Sequence, residues 1–179
     1  MKAFLKPYVE SAFNPSRSAY MQVIKNEQPV EGSWTHLGDE EPVKTSPCTV
    51  SLGRWLKERE ELLRSPSPVG VRLSSADAPE TLATDLQAIA LIVLDMHPFA
   101  DGRSFTQARI IRDQLGYSGE LRVRGDFLRD QMFFLSRVGV DAFEFPDDVD
   151  IQDRLKAFQE FTVTYQAAAD ARQPVCSLR

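Results

Sequence analysis

The side chains best suited to binding or catalysis lie in one central stretch of the chain, from Asp101 to Arg137. It contains seven arginines, five acidic residues and no lysine. An arginine guanidinium can donate two parallel hydrogen bonds to one carboxylate or oxyanion. The stretch therefore predicts an arginine–carboxylate cluster. The candidate binding residues in it are Asp101, Gly102, Arg103, Gln107, Arg109, Glu120, Arg122, Gly125, Asp126 and Asp130.

Arg122 and Arg124 alternate with Leu121 and Val123, so in a strand the two arginines share one face. A sheet covered on both sides would bury them, and an unpaired buried guanidinium costs several kcal/mol, roughly. Two interpretations remain open. The arginines either form a structural network with nearby acids or bind an anion or a partner. The acids available for a network are Asp95, Asp101, Glu120, Asp126 and Asp130. On the second interpretation, sulfate or phosphate binds near Arg103 and Arg122.

The tripeptide Asp101-Gly102-Arg103 directly precedes a predicted helix. Free backbone amides at a helix start attract anions, which favours a phosphate site. The spacing matches neither a phosphate-binding P-loop nor the dinucleotide fingerprint. An ordinary turn is therefore the alternative interpretation.

No complete set of residues for nucleophilic, metal or redox chemistry is recognisable. His97 follows a buried strand and could transfer protons, but no serine or cysteine partner stands near it. His36 lies in a polar stretch, and the spacing of the two histidines supports no metal site. Cys48 and Cys176 are the only cysteines and are far apart, so we expect two free thiols in a reducing cytoplasm. No cofactor and no metal are predicted.

The elements that must position these residues alternate regularly in the second half of the chain. Four predicted strands are separated by helices, which is typical of parallel β-α units with right-handed crossovers. The predicted strands are 69–73, 88–95, 119–124 and 141–145, and short strands or a hairpin begin near Tyr20. Helices are predicted to begin at caps provided by Asp77, Ser104 (with Gln107) and Asp126, and a long C-terminal helix is predicted over 151–171.

The predicted fold class is α/β, with a mostly parallel sheet of repeated β-α units that forms a partial TIM-like barrel. An open, flavodoxin-like sheet is the alternative. In both architectures ligands bind at the carboxyl ends of the strands. In this sequence those ends lie near Ser74, 95–97, 124–126 and Pro146.

Length and charge limit the classes of function. With 179 residues we expect one α/β domain over 20–171, preceded by an arm (1–19) and followed by a tail (172–179). The net charge of −5 argues against a general nucleic-acid or anionic-membrane surface. The longest apolar run, 88–94, is too short to cross a bilayer.

From Phe99 to Phe145 the chain resembles an uncharacterised bacterial family whose members are often labelled probable oxidoreductases. In that family the gene commonly lies beside the gene for the haemoprotein subunit of assimilatory sulfite reductase. The motifs that carry the resemblance are Phe99-Ala100-Asp101-Gly102-Arg103, Gln107-Ala108-Arg109, Arg112, Leu115-Gly116-Tyr117, Gly119-Glu120-Leu121-Arg122, Gly125-Asp126, Asp130-Gln131, Gly139 and Asp141. The family usually has a small apolar residue at the position of Arg124, which favours Arg122 as the site residue.

The resemblance implies a role in reductive sulfur assimilation in support of sulfite reductase. We expect a non-catalytic accessory protein whose Arg/Asp-rich edge binds the sulfite reductase haemoprotein subunit, its tetrapyrrole cofactor or a small oxyanion. The alternative is an enzyme that acts on a small anionic metabolite in a barrel-like pocket. In that case Asp101 or Asp126 would be the acid or base, and Arg103 and Arg122 would hold the anion.

Overall fold

The computed structural model describes residues 22–43, 45–98, 101–161, 163–169 and 175. Its strands are β1 (Gln22–Lys25), β2 (Gln28–Glu31), β3 (Thr35–His36), β4 (Cys48–Ser51), β5 (Val69–Ser74), β6 (Leu91–Met96), β7 (Glu120–Gly125) and β8 (Ala142–Phe145). Its α-helices are α1 (Leu52–Leu63), α2 (Arg103–Arg109), α3 (Arg129–Arg137) and α4 (Ile151–Leu155). The π-helical turn Ile110–Gln114 continues α2, and 3-10 turns occupy Pro79–Leu82 and Lys156–Gln159.

The eight strands form one sheet in the order β2-β1-β8-β7-β6-β5-β4-β3. The strands from β3 to β8 are parallel, whereas β1 is antiparallel to both β2 and β8. The predicted α/β class, with a mostly parallel sheet and an N-terminal hairpin, is confirmed.

The sheet is strongly curled. The two edge strands, β2 and β3, are separated by only three residues (32–34), and four extended residue steps reach about 14 Å at most. In addition, His36 on β3 contacts Glu144 on β8, although four strands lie between these two in the sheet order. The sheet therefore forms a partial barrel, as predicted, rather than the open sheet of a flavodoxin.

The two faces of the sheet differ in composition. The convex face carries the apolar residues Val71, Ile92 and Leu121, which pack against the helices through Trp55 and Met132 in a single core cluster. The inner, concave face carries most of the charged strand residues. The sequence alternation that separates Leu121 and Val123 from Arg122 and Arg124 thus divides the core from the barrel interior.

Three predicted helix starts differ from the structure. No α-helix follows Asp77, whose carboxylate instead accepts hydrogen bonds from the Ser74 amide and hydroxyl. Helix α2 begins at Arg103, one residue before Ser104, and Ser104 makes no cap bond. Helix α3 begins at Arg129, where Leu128 is the N-cap and its amide donates to Gln131 Oε1 over 2.9 Å.

The C-terminal helix is much shorter than predicted. Asp150 caps α4 by accepting hydrogen bonds from the Gln152 and Asp153 amides, but the helix ends at Leu155 and continues only as the 3-10 turn Lys156–Gln159. The described residues between 160 and 169 are not helical. The predicted arm, 1–19, and all of the tail, 172–179, except Val175 lie outside the described residues. None of the described helices is long and apolar enough to span a bilayer.

Candidate functional site

Charged and hydrogen-bonding side chains from six strands meet on the concave face of the sheet. We call this group the inner-face cluster, and its members are His36, Thr49, Arg72, Asp95, Glu120, Arg122, Arg124 and Glu144. The strand register places Arg124 beside Asp95 on β6 and beside Glu144 on β8. Strand pairing therefore places Asp95, Arg124 and Glu144 side by side, and the curl of the sheet adds His36, which is 108 positions from Glu144 in the chain.

Glu144 lies at the centre of the cluster, with a side chain only 2% exposed. It accepts hydrogen bonds from Arg122 Nη1 at 2.9 Å and from His36 Nε2 at 2.6 Å. Burial alone would raise the pKa of this carboxyl, but the hydrogen bond from His36 and the charge and hydrogen bond of Arg122 outweigh it and lower the pKa to about 2. Glu144 is therefore ionised at neutral pH.

His36 links Glu144 to Thr49, whose hydroxyl lies 2.6 Å from His36 Nδ1. The same hydroxyl oxygen accepts a hydrogen bond from Arg72 Nη1 at 3.0 Å, so the hydroxyl proton is available to His36 Nδ1. His36 then donates from Nε2 to Glu144 as a neutral ring. Burial lowers the pKa of His36 and dominates over the opposing effect of Glu144, which agrees with the neutral form.

Arg122 is buried and fully engaged by carboxylates. Besides Glu144, it contacts Glu120 Oε1 through Nη2 at 2.6 Å and through Nε at 2.9 Å. Glu120 in turn accepts a hydrogen bond from Lys25 Nζ at 2.7 Å. Arg122 thus lies within a structural ion-pair network, and an anion would have to displace one of its two carboxylates.

Arg124 and Asp95 form a second pair on the concave face. Arg124 donates to both oxygens of Asp95, through Nε and through Nη2. The Arg124 side chain is buried, whereas that of Asp95 remains 21% exposed. This pair lies at the carboxyl ends of β6 and β7. Arg124 is two residues after Arg122 in β7 and therefore on the same face of the sheet.

A second group of candidates lies at the carboxyl ends of β5, β6 and β7. We call it the carboxyl-end rim, and its members are Ser75, His97, Asp101, Arg103, Gln107 and Asp126. Gln107 is buried and ties α2 to the loop after β5, because its Nε2 donates to the Ser74 and Asp77 carbonyls at 2.8 and 2.9 Å.

Asp101 and Arg103 form the exposed part of the rim. Arg103 donates through Nε and Nη2 to the Asp101 carboxylate and reaches Ser75 Oγ at 3.1 Å. The Arg103 side chain remains 62% exposed. The backbone amide of Arg103, at the start of α2, also donates a hydrogen bond to the Asp101 carboxylate. This carboxylate therefore occupies the position in which the sequence predicts a bound anion. Arg103 holds the pKa of Asp101 well below its usual range.

His97 and Asp126 form the other part of the rim. His97 Nδ1 lies 2.8 Å from Asp126 Oδ2, and both side chains are partly exposed. Gly125 makes this approach possible because its φ is +114° and a Cβ there would lie 2.8 Å from His97 Nε2. Asp126 was predicted to cap the following helix, but it contacts the histidine instead.

Two of the charged residues predicted for the site lie outside both groups, and the glycines Gly102 and Gly125 belong to the backbone beside the rim. Arg109 forms an exposed pair with Asp113 along α2 at 2.9 Å, and Asp130 is exposed in the first turn of α3. The structure therefore brings together Asp101, Arg103 and Gln107 in one place, Gly125 with Asp126 in a second, and Glu120 with Arg122 in a third.

Six members of the inner-face cluster are absent from the predicted site: His36, Thr49, Arg72, Asp95, Arg124 and Glu144. Asp95 is predicted only for a structural network, Arg124 is disfavoured relative to Arg122, and the other four are candidates for neither role. Two of them carried a usable signal, because Arg72 and Glu144 are single charges within otherwise apolar strands, Val69–Ser74 and Ala142–Phe145. His36 and Thr49 carried none, since only the curl of the sheet brings β3 close to β8.

The arrangement can bind and orient charged groups. Among the described residues, no group of three or more His, Cys, Asp or Glu side chains is arranged to hold a metal ion. Cys48 is buried within the apolar core and forms no disulfide with a described residue. The paired arginines and carboxylates are the chemically distinctive groups of the described chain.

The comparison with protein families finds a match to the second half of the chain. The model of a family described as "Bacterial protein of unknown function (DUF934)" matches residues 70–176, which is more than half of the chain. The chain belongs to this family. The matched region includes β5 from its second residue, β6 to β8 and the whole carboxyl-end rim, whereas His36 and Thr49 of the inner-face cluster lie before it. No curated protein and no solved structure matches the chain.

Proposed function

We propose that this protein is a non-catalytic accessory protein of assimilatory sulfite reduction in the cytoplasm, and that its carboxyl-end rim binds the haemoprotein subunit of sulfite reductase. The link to sulfite reductase rests on the resemblance implied by the motifs around Asp101-Gly102-Arg103. The observation that supports a binding role is the state of the charged groups in the rim.

Arg103 is exposed, His97 and Asp126 are partly exposed, and all three are already held in place by partners within the rim. Arg103 is fixed by Asp101 and Ser75, and His97 by Asp126. Side chains fixed in this way lose little conformational freedom on association, which favours a docking surface. Charged pairs at the edge of such a surface contribute mainly to the rate and specificity of association.

Growth tests the proposal directly. A deletion strain of the native host, with sulfate as its only sulfur source, should grow poorly and recover with the wild-type gene. Arg103→Glu should fail to restore growth because it places a negative charge beside Asp101 on the rim. Arg64→Glu is the matched control, since Arg64 is also exposed and, among the described residues, forms an ion pair only with Glu60 on α1, at 3.5 Å. Normal growth of the deletion strain would refute the proposal.

One observation favours an enzyme as the second candidate. The hydrogen bond between His97 and Asp126 orients an imidazole at the carboxyl end of the sheet, where α/β barrels place catalytic groups. The candidate acid or base is then this pair and not Asp101, because Arg103 lowers the pKa of that carboxyl, which leaves it without a proton to donate and only weakly basic. The reaction would act on a small anionic metabolite.

Partner capture distinguishes the two candidates. If the protein is an enzyme, His97→Gln should abolish growth on sulfate while the variant still captures the same proteins as wild type. If it is an accessory protein, loss of growth should always accompany loss of capture.

A further inference from the structure

The three carboxylates of the inner-face cluster are all committed to cations other than Arg72. Glu120 contacts Lys25 and Arg122, Glu144 contacts Arg122, and Asp95 contacts Arg124. The cations in these ion pairs are Lys25, Arg122 and Arg124. Among the described residues, no carboxylate oxygen lies within ion-pair distance of the fourth cation, Arg72.

Arg72 is held in place by neutral acceptors alone. Its Nη1 donates to the Thr49 carbonyl at 2.8 Å and to the Thr49 hydroxyl at 3.0 Å, and its Nη2 donates to the Leu37 carbonyl at 2.6 Å. These bonds satisfy N–H groups, but they bring no carboxylate into direct contact with the positive charge. Burial and repulsion from Arg124 lower the pKa of Arg72 and outweigh the charges of Asp95, Asp39 and Glu144, which favour the guanidinium from a distance. A partly buried charge without a directly contacting counter-charge is unfavourable in the interior of a protein.

The guanidinium retains donors for a ligand. Its Nε–H takes part in none of the hydrogen bonds to described residues, and the residue is partly exposed at the concave face. Arg72 lies on β5 in register with Val93, and Val93 is in register with Arg122 on β7. The apolar Val93 therefore separates Arg72 from the ion pairs of Arg122 and leaves Arg72 without a competing carboxylate in its own row.

We propose that Arg72 binds a small divalent oxyanion of the sulfate, sulfite or phosphate class on the concave face of the curled sheet. The anion would supply a negative charge in direct contact with the guanidinium, which Asp95, Asp39 and Glu144 influence only from a distance, and the fixed bonds to Thr49 and Leu37 orient the guanidinium in advance. This site differs from the predicted one at Arg103 and Arg122, where carboxylates already occupy both guanidiniums. It does not depend on a protein partner at the rim.

Titration of the side-chain Nε–H resonances tests the site. The ¹⁵N-labelled protein would be titrated with sodium sulfate, and separately with sodium phosphate and sodium chloride, at constant ionic strength. Arg72 should show a saturable shift with sulfate or phosphate and none with chloride. The resonance of Arg64, an exposed surface arginine, should not saturate. Equal responses of Arg72 and Arg64, or an Arg72 response to chloride as strong as to sulfate, would overturn the proposal.

A variant provides the second measurement. Arg72→Lys keeps the charge but loses the planar fork, so calorimetry should show sulfate affinity reduced by about tenfold or more. Arg64→Lys should bind sulfate as wild type does. If Arg72→Lys does not fold, the titration of the wild-type resonance decides alone. Unchanged affinity in a folded Arg72→Lys variant would contradict the site, because the remaining inner-face arginines would then be sufficient.

Discussion

Arg122 illustrates how burial makes single charged residues depend on their partners. Its side chain and that of Glu144 are almost fully buried, and each satisfies the other at 2.9 Å. Removing one member leaves a charge in an environment that cannot solvate it, whereas an exposed pair loses little because water replaces the partner.

We therefore expect Arg122→Ala to destabilise the fold by about 3–5 kcal/mol, because Glu144 and Glu120 lose their guanidinium. The measurement is the free energy of urea unfolding. Arg64→Ala removes only an exposed pair with Glu60 and should cost less than about 1 kcal/mol. Similar losses in the two variants would show that the inner-face ion pairs are not buried as described.

The stability of the protein should fall as the pH drops below the ordinary pKa of histidine, 6.5. The folded state lowers the pKa of His36, so the unfolded chain binds a proton in this range that the folded chain does not. The groups facing His36 are Glu144, Thr49, Arg72 and Arg124, and the two arginines disfavour its protonation. A second loss should follow below 4.5, the ordinary pKa of glutamate, as pH falls towards about 2, the pKa of Glu144.

Urea unfolding at a series of pH values measures this dependence. His36→Gln retains a donor for Glu144 but does not titrate, so its stability should change less between pH 7.5 and 5, about the range where histidine ionises. Identical slopes for His36→Gln and wild type would exclude His36 as the responsible group.

At the scale of elements, Arg112 forms hydrogen bonds with both loops that precede β7 and β8. Its Nη1 donates to the Tyr117 and Gly119 carbonyls at 2.5 and 2.8 Å, its Nε donates to the Gly139 carbonyl at 2.8 Å, and its Nη2 contacts Asp141. Gly139 has a φ of +100° and packs directly on the Arg112 side chain. One arginine thus connects α2, the start of β7 and the turn before β8.

Gly139→Ala should consequently destabilise the protein by about 1–3 kcal/mol, since the backbone conformation is strained for alanine and the new Cβ would lie 2.3 Å from Arg112 Cγ. Thermal and urea unfolding would measure the loss. Gly102→Ala is the matched control, because a Cβ there meets nothing within 4 Å and φ is −76°. A tolerated Gly139→Ala would mean that Arg112 does not constrain this turn.

The order and type of most elements could be predicted from alternation and caps, but several boundaries could not. The long helix expected over 151–171 rested on spaced aromatic residues, of which Phe158 enters the core while Phe161 packs on Phe133 of α3. The cap expected from Asp126 failed because His97, brought close by the parallel pairing of β6 and β7, competes for the same carboxylate. Both differences arise from tertiary contacts that the local sequence does not contain.

At the scale of the whole molecule, the curl of the sheet decides which charges meet. The alternation of Arg122 and Arg124 with apolar residues indicated a shared charged face, and the structure places both arginines on the concave side. Their distant partner Glu144, and the link from Glu144 to His36, follow from the closure of β3 towards β8. The candidates expected to form one site therefore divide between an interior network and an exposed rim.

The inner-face cluster and the carboxyl-end rim therefore have different roles. Residues of the inner-face cluster mainly support the fold, while Arg103 is exposed and His97 and Asp126 are partly exposed at the rim. Substitutions at the rim should then impair function with little loss of stability, and substitutions such as Arg122→Ala should impair both. Paired measurements of unfolding and growth on sulfate would separate the two classes.

Co-purification from the native host, grown on sulfate, tests the central claim most directly. A tagged wild-type protein expressed at its natural level should recover the haemoprotein subunit of sulfite reductase, identified by mass spectrometry. Arg64→Glu should recover it equally, and Arg103→Glu should recover at least about tenfold less, which corresponds to about 1.4 kcal/mol of binding free energy. Failure of the wild-type protein to recover the subunit, or equal recovery by Arg103→Glu, would contradict the assignment of the rim as its docking surface.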